Sequence, residues 1–235
     1  MTVHEEFASY IDQPVTPYRK EIFDKLIRRV SGGRVCDLGC HAVGHYWALG
    51  YAERVDDIAL YDLSEDALKM QQYEIDMLSP DSMEERFGDT LRFLRESNIT
   101  NSDLESMAFS IQEKIGSIRQ FNFLTDEPDE TFDWVLALES LGVVNTREEY
   151  ETAFHTAKKL MKPGNSTLFA IHVPYETESE YVEFLRSGLI EGRFNPSLEV
   201  TNQTLESLGF SHHSVEKIVT NEPNYPIAHF ITARW

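Results

Sequence analysis

The segment Val35-Cys36-Asp37-Leu38-Gly39-Cys40-His41-Ala42-Val43-Gly44 constrains the fold of this chain more than any other stretch. Its first residues, 34–38, are apolar enough for a short buried strand. Gly39 interrupts the strand, and residues 43–51 then read as a helix. A strand that feeds a helix through a glycine turn begins a crossover unit, and such units build parallel sheets with helices on their faces.

The rest of the chain keeps to that alternation. Thr16-Pro17 supplies an N-cap and a first helical residue. The helix over 18–30 places Ile22, Phe23, Leu26 and Ile27 on one face, and Ser31-Gly32-Gly33 stops it. Residues 58–62 read as the second strand, with Ser64 capping the next helix. Residues 79–116 hold two polar helical stretches and no strand, which predicts a helical insertion. Strands are expected at 118–123, 132–138 and 167–173. Thr146-Arg147-Glu148-Glu149 has the spacing of a capping box and opens a helix that runs to Met161; Lys162-Pro163-Gly164-Asn165 is a turn. A helix over 201–208 ends at Gly209, and 213–220 and 227–234 read as a closing pair of strands. The expectation is a doubly wound, mostly parallel seven-stranded α/β sheet with a C-terminal antiparallel hairpin. Its 235 residues suffice for one domain over 1–235, with an N-terminal helical cap over about 1–30.

Composition narrows the partners. There are 21 Lys and Arg against 40 Asp and Glu, a formal net charge of −19. Such a surface repels phosphate backbones, so a nucleic-acid partner is not expected. No apolar run is long enough to span a bilayer, and the N-terminus has no secretory pattern, which predicts a cytoplasmic protein without a membrane partner. Cys36 and Cys40 lie four positions apart, which is no disulfide framework. With His41 and His45 they invite a zinc reading. Cys36 sits within a strand and Cys40 follows the turn, so the four converge poorly on one ion, and no metal is expected. His212 and His213 are adjacent on a strand and point to opposite faces.

In open α/β sheets, ligands bind at the carboxyl ends of strands. Gly39 lets backbone approach a ligand closely, and the helix after it offers free N–H groups. Asp62, ending the second strand, is placed to accept both hydroxyls of an adenosine ribose. These two pieces predict an adenosine ligand. The loop reads Gly39-x-His41-x-x-Gly44, whereas a dinucleotide fingerprint needs glycine at position 41 for the pyrophosphate. Asp37, two residues before Gly39, suits a cationic methionyl group. S-adenosylmethionine (AdoMet) is therefore the expected ligand.

The order of pieces resembles the class I AdoMet-dependent methyltransferases. The matching segments are Val35-Cys36-Asp37-Leu38-Gly39, Leu60-Tyr61-Asp62-Leu63-Ser64, Phe132-Asp133-Trp134-Val135-Leu136, Leu160-Met161-Lys162-Pro163-Gly164 and Phe230-Ile231-Thr232-Ala233-Arg234. A looser similarity is to the nicotinamide and phenylethanolamine N-methyltransferase type. The chain departs from the family at His41, where glycine is usual. The resemblance implies that Gly39, Cys40 and His41 line the methionine and ribose, that Asp62 takes the ribose hydroxyls, and that Leu63 packs on adenine. It also implies that Asn122 and Phe123 meet adenine, that Leu138 and Glu139 lie under the sulfonium, and that Tyr10 and Tyr18 cover the site.

His172, ending the fifth strand, is a candidate general base and equally a candidate structural histidine. Glu139 is a candidate to steer or deprotonate an amine, or to bond its own loop. Tyr175 follows at the same edge as a candidate substrate contact. The expected activity is methyl transfer to nitrogen or oxygen of a small molecule by a monomer or homodimer. Alternatives are a protein or peptide methyltransferase, a binding protein that keeps the fold without transfer, and a nucleotide-dependent oxidoreductase.

Overall fold

A computed structural model describes residues 15–174, 193–222 and 225–235. The chain divides into two compact units, Met1–Phe121 and Asn122–Trp235. Its strands are hydrogen-bonded into one seven-stranded sheet in the order β3-β2-β1-β4-β5-β7-β6.

The first unit holds α1 (Pro17–Lys25), β1 (Arg34–Leu38), α2 (Gly44–Ala48), β2 (Asp57–Asp62), α3 (Glu65–Asp76), α4 (Pro80–Glu96), α5 (Leu104–Lys114) and β3 (Ile115–Gln120). Thr16 caps α1 as expected, its hydroxyl accepting the Arg19 N–H at 3.2 Å. The helix is shorter than its apolar stripe: it ends at Lys25, and Ile27–Arg29 forms a 3₁₀ turn that still buries Ile27. The stripe follows burial rather than helical hydrogen bonding, so it runs past the true end. Phe23 packs on Tyr46 and Trp47 of α2, with ring centroids 5.6 and 5.1 Å away. Arg54 fastens the connection into β2, donating to the carbonyls of Ile27, Gly50 and Ile99.

The two helices expected between 79 and 116 are present, but β3 begins at Ile115, directly after α5. The expected strand at 118–123 is therefore displaced. β3 is an edge strand whose residues are half-buried or exposed, so it lacks the apolar run that marks its neighbours. The apolar signal at Phe121 comes from beyond the strand, where its N–H bonds the Asp62 carbonyl at 2.8 Å.

The second unit holds β4 (Trp134–Leu138), α6 (Arg147–Lys159), β5 (Thr167–His172), α7 (Leu198–Ser207), β6 (His212–Glu222) and β7 (Tyr225–Arg234). β4 and β5 pair in parallel, and β7 pairs antiparallel with both β5 and β6, which is the expected hairpin. Phe132 makes only an isolated bridge to Met161, so β4 starts two residues later than its apolar run. α7 starts three residues earlier than expected, capped by Ser197, whose hydroxyl accepts the Val200 N–H. Among the described residues no helix is long and apolar enough to cross a membrane.

Candidate functional site

β1 and β2 run parallel, with Asp37 opposite Leu60 and Leu38 opposite Tyr61. Gly39 takes a left-handed φ of 74°. Its N–H and that of Cys40 both donate to the Tyr61 carbonyl, at 2.7 and 3.1 Å, which folds the loop over the end of β2. His41 is also left-handed, at φ 48°. L side chains adopt this region rarely, and histidine is among those that tolerate it best. A glycine would adopt this backbone without strain, and histidine is a workable occupant of it.

Asp62 joins the two turns. Its Oδ2 accepts the His41 N–H and its Oδ1 the Ser64 N–H, both at 2.8 Å. The side chain is only 8% exposed. Ser64 in turn caps α3, as expected from sequence, accepting the Ala67 N–H at 3.2 Å. Gln71 of α3 is a contributor that sequence reasoning missed. Its Oε1 accepts the Gly44 N–H at 2.5 Å and its Nε2 donates to Cys40 Sγ at 3.3 Å. A signal was present: Gln71 is a polar residue on the stripe of Ala67, Leu68 and Ile75 that α3 buries. A Cβ on Gly44 would lie 2.9 Å from both Gln71 Oε1 and Leu60 Cδ2, so the start of α2 is packed to contact.

Asp37 is 1% exposed, and its Oδ2 has no hydrogen-bond partner. Burial, with a smaller push from the Asp62 charge, raises its carboxyl from 3.8 to about 8. The Tyr51 hydroxyl is likewise buried without a partner, and burial and then Asp37 push it well above the phenol range. Cys40 turns inward. Burial, then Asp37 and Asp62, raise its thiol well above the usual value despite the Gln71 hydrogen bond, so it is no nucleophile. Leu63, next to Asp62, is 58% exposed, an uncovered apolar side chain at the mouth of the loop. Tyr18 is buried on the inner face of α1 beside Ile22 and Phe23.

In the second unit, Leu138 and Glu139 are half-buried at the end of β4, and Glu139 is left-handed at φ 68°. Arg193 Nε donates to the Gly142 carbonyl at 3.0 Å and the Phe194 N–H to the Val144 carbonyl at 2.7 Å, so two consecutive residues hold the loop after β4. His172 is 2% exposed. Its ring lies edge-on to Tyr150 and near His229, with centroids 6.0 and 6.3 Å away. Both ring nitrogens are buried without a partner. Burial first, then Arg193 and His229, hold its pKa well below the ordinary value, so the ring is neutral. A Cβ on Gly142 would collide with that ring.

Asn122 and Phe123 follow β3 in a turn rather than in a strand. Asn122 Oδ1 accepts the Leu124 N–H at 2.9 Å and its N–H donates to Asp126 at 2.8 Å, the bonding of an Asx turn. Tyr10 and Tyr175 lie outside the described residues. Among the described residues no three His, Cys, Asp or Glu side chains gather to hold a metal.

No protein-family profile and no curated protein matches the sequence. Solved structures match in shape. The magnesium protoporphyrin IX methyltransferase of Synechocystis PCC 6803, with S-adenosylhomocysteine bound, superposes with a TM-score of 0.59 at 16% identity, covering 99% of this chain and 94% of that one. The N-methyltransferase NodS of Bradyrhizobium japonicum WM9, also with S-adenosylhomocysteine, gives 0.57 at 13% identity over 93% and 88%. A SAM-dependent methyltransferase of Methanosarcina mazei gives 0.56 at 13% over 87% and 92%. The looser similarity to nicotinamide-type enzymes gains nothing from these matches. The fold of this chain is that of the SAM-dependent methyltransferases.

Proposed function

We propose that the chain is an AdoMet-dependent methyltransferase acting on a nitrogen or oxygen of a small molecule. The observation that carries the reading is the Asp62 carboxylate, which ties the His41 and Ser64 N–H groups together at the end of β2. Each of its oxygens keeps a free lone pair, so the ribose hydroxyls have acceptors whose position is already fixed. Three further features of the first unit fit the same ligand. Asp37 Oδ2 is an orphaned buried acceptor suited to a cation. Leu63 is an exposed apolar surface for adenine. Gly39 and His41 both hold left-handed backbone, which turns the chain sharply at the end of β1.

AdoMet supplies the methyl group on a sulfonium, a leaving group that needs no acid. The protein's task is then to orient and to exclude water. Glu139 is assigned to acceptor recognition: its left-handed backbone at a strand's carboxyl end is the kind of strain that collects at functional sites. His172, buried and neutral, is assigned to support of the β4 loop, with a role as base kept for an acceptor that reaches its ring. Tyr10, Tyr175, Asn122 and Phe123 complete the proposed set.

The test is transfer of a radiolabelled methyl group to a panel of small amines and phenols, with parallel reactions on basic peptides and on RNA. Label on a small acceptor, with matching release of S-adenosylhomocysteine, is the expected result. Label on peptide or RNA alone contradicts the acceptor class. Label nowhere, with AdoMet bound, indicates a binding protein.

A further inference from the structure

Gln71 reaches the glycine turn from α3 and is completely buried there. The Gly44 N–H is a donor, so it meets the amide oxygen, at 2.5 Å, and this turns Nε2 toward Cys40 Sγ at 3.3 Å. With the sulfur accepting, the thiol hydrogen is left for the His41 carbonyl, 3.5 Å from Sγ. One backbone N–H thereby sets the direction of a relay from amide to thiol to carbonyl. Gly44 is not left-handed; glycine is needed there for room, since a Cβ would lie 2.9 Å from Gln71 Oε1. His41 is thus held on both sides: the Asp62 carboxylate takes its N–H at 2.8 Å, and the Cys40 thiol meets its carbonyl. Both supports trace to one stretch of chain, because Asp62 ends β2 and α3 starts three residues later. His41 sits at φ 48°, which an L residue populates roughly tenfold less than right-handed backbone. Strain of this kind persists where the surroundings over-determine it.

Resting on the cofactor reading above, we propose that Gln71 is a positioning residue for AdoMet: through Cys40 it holds His41 in the left-handed conformation in which the turn meets the ligand. The amide touches no ligand in this role. It acts on the population of the competent turn, and affinity scales with the fraction of molecules whose turn is already formed. Without the amide, Cys40 loses its fixed orientation, the His41 carbonyl loses its donor, and residue 41 returns toward the backbone that an L side chain prefers. Glycine at that position would not, since it takes either hand about equally. The amide is needed because residue 41 is a histidine: Gln71 compensates for the side chain there.

The experiment is a double-mutant cycle on AdoMet affinity, read by titration calorimetry, with Gln71→Met and His41→Gly as its two arms. Methionine keeps the length of the side chain and loses both hydrogen bonds. Gln71→Met is expected to weaken AdoMet by about tenfold in the wild-type background and by no more than about twofold in the His41→Gly background. The orphaned Gly44 N–H lowers stability equally in both, so a purely structural Gln71 gives equal losses, and equal losses overturn the proposal. Cys40→Ala breaks the relay but leaves the Gly44 bond, and it is expected to reproduce most of the loss. Cys40→Ser, whose hydroxyl accepts and donates as the thiol does, is expected to retain affinity. These two variants decide the case if Gln71→Met does not fold: wild-type affinity in Cys40→Ala overturns the proposal. The backbone carbon shifts of residue 41 report its conformation in the ligand-free protein. Loss of the left-handed values in Gln71→Met supports the clamp, and their persistence overturns it. If folded wild type binds no AdoMet, the cofactor reading falls and these shifts alone judge the clamp.

Discussion

The loops after β1 and β4 each carry a non-glycine residue in left-handed backbone, His41 and Glu139, yet they are supported in opposite ways. The first is held by polar groups reaching its amides: the Tyr61 carbonyl, the Asp62 carboxylate and the Gln71 amide. It keeps an unmatched acid, Asp37, beneath it. The second is held from the side by Arg193 and Phe194 and from below by the neutral ring of His172. The first is organised around fixed acceptors, with close packing only where it enters α2 at Gly44. The second depends on shape, because its buried histidine finds no partner. The difference teaches where each loop is fragile: the first to loss of a carboxylate, the second to an added methyl group.

Gly142→Ala is expected to have the largest effect on the second loop. The new Cβ meets the His172 ring, and overpacking of this kind costs about 1–3 kcal/mol. Thermal unfolding should report a lower Tm, with Gly39→Ala as the counterpart in the first loop. An unaltered Tm for Gly142→Ala would mean that the ring moves freely and that the second loop is not shape-limited.

Asp62→Ala removes the acceptor of two N–H groups. Loss of hydrogen bonds to a charged group predicts AdoMet affinity weaker by roughly 10- to 100-fold. Equilibrium binding checks this, and Asp62→Asn should fall between, since its single carbonyl oxygen serves one turn only.

The two buried groups should also respond to pH with opposite sign. Asp37 is raised from 3.8 to about 8, so between those values the folded chain keeps a proton that the unfolded chain has lost. Its contribution is full below about pH 4 and is lost as pH rises toward 8. Asp37→Asn should therefore raise the Tm of the ligand-free protein at pH 8, by at least about 4 °C, and hardly change it at pH 4. His172 is depressed from 6.5, so its contribution is present above that value and is lost as pH falls. His172→Phe should flatten the loss of Tm on acidification from pH 7 to pH 5, as calorimetric scans can read.

The smallest effect is expected of His41→Gly. Relief of a left-handed side chain is worth about 1–2 kcal/mol, and the greater freedom of glycine in the unfolded chain offsets most of it. A stability change within about 1 kcal/mol and retained AdoMet binding are expected. Loss of binding would show that the imidazole itself contacts the ligand.

Much of this was legible in the sequence because it rests on local chemistry. Thr16, Ser64 and Thr146 announce their helices by capping, and β1, β2, β4 and β5 announce themselves by apolar runs. The edge strand β3 was misplaced because edge residues need not be apolar, and Phe121 lent the signal to the wrong side. Asp37 could be picked out as an acid near a glycine turn, but its missing partner is a property of packing that no spacing reveals. Arg193 and Gly142 lie 51 positions apart, so their bond is invisible without the fold.

The most direct test of the central claim is calorimetric titration of ligand-stripped protein with AdoMet and with NAD, for wild type beside Asp62→Ala. The account predicts micromolar AdoMet binding, lost or greatly weakened in the variant, and no NAD binding. A folded wild type that ignores AdoMet, or an Asp62→Ala variant that binds it equally well, would contradict the account.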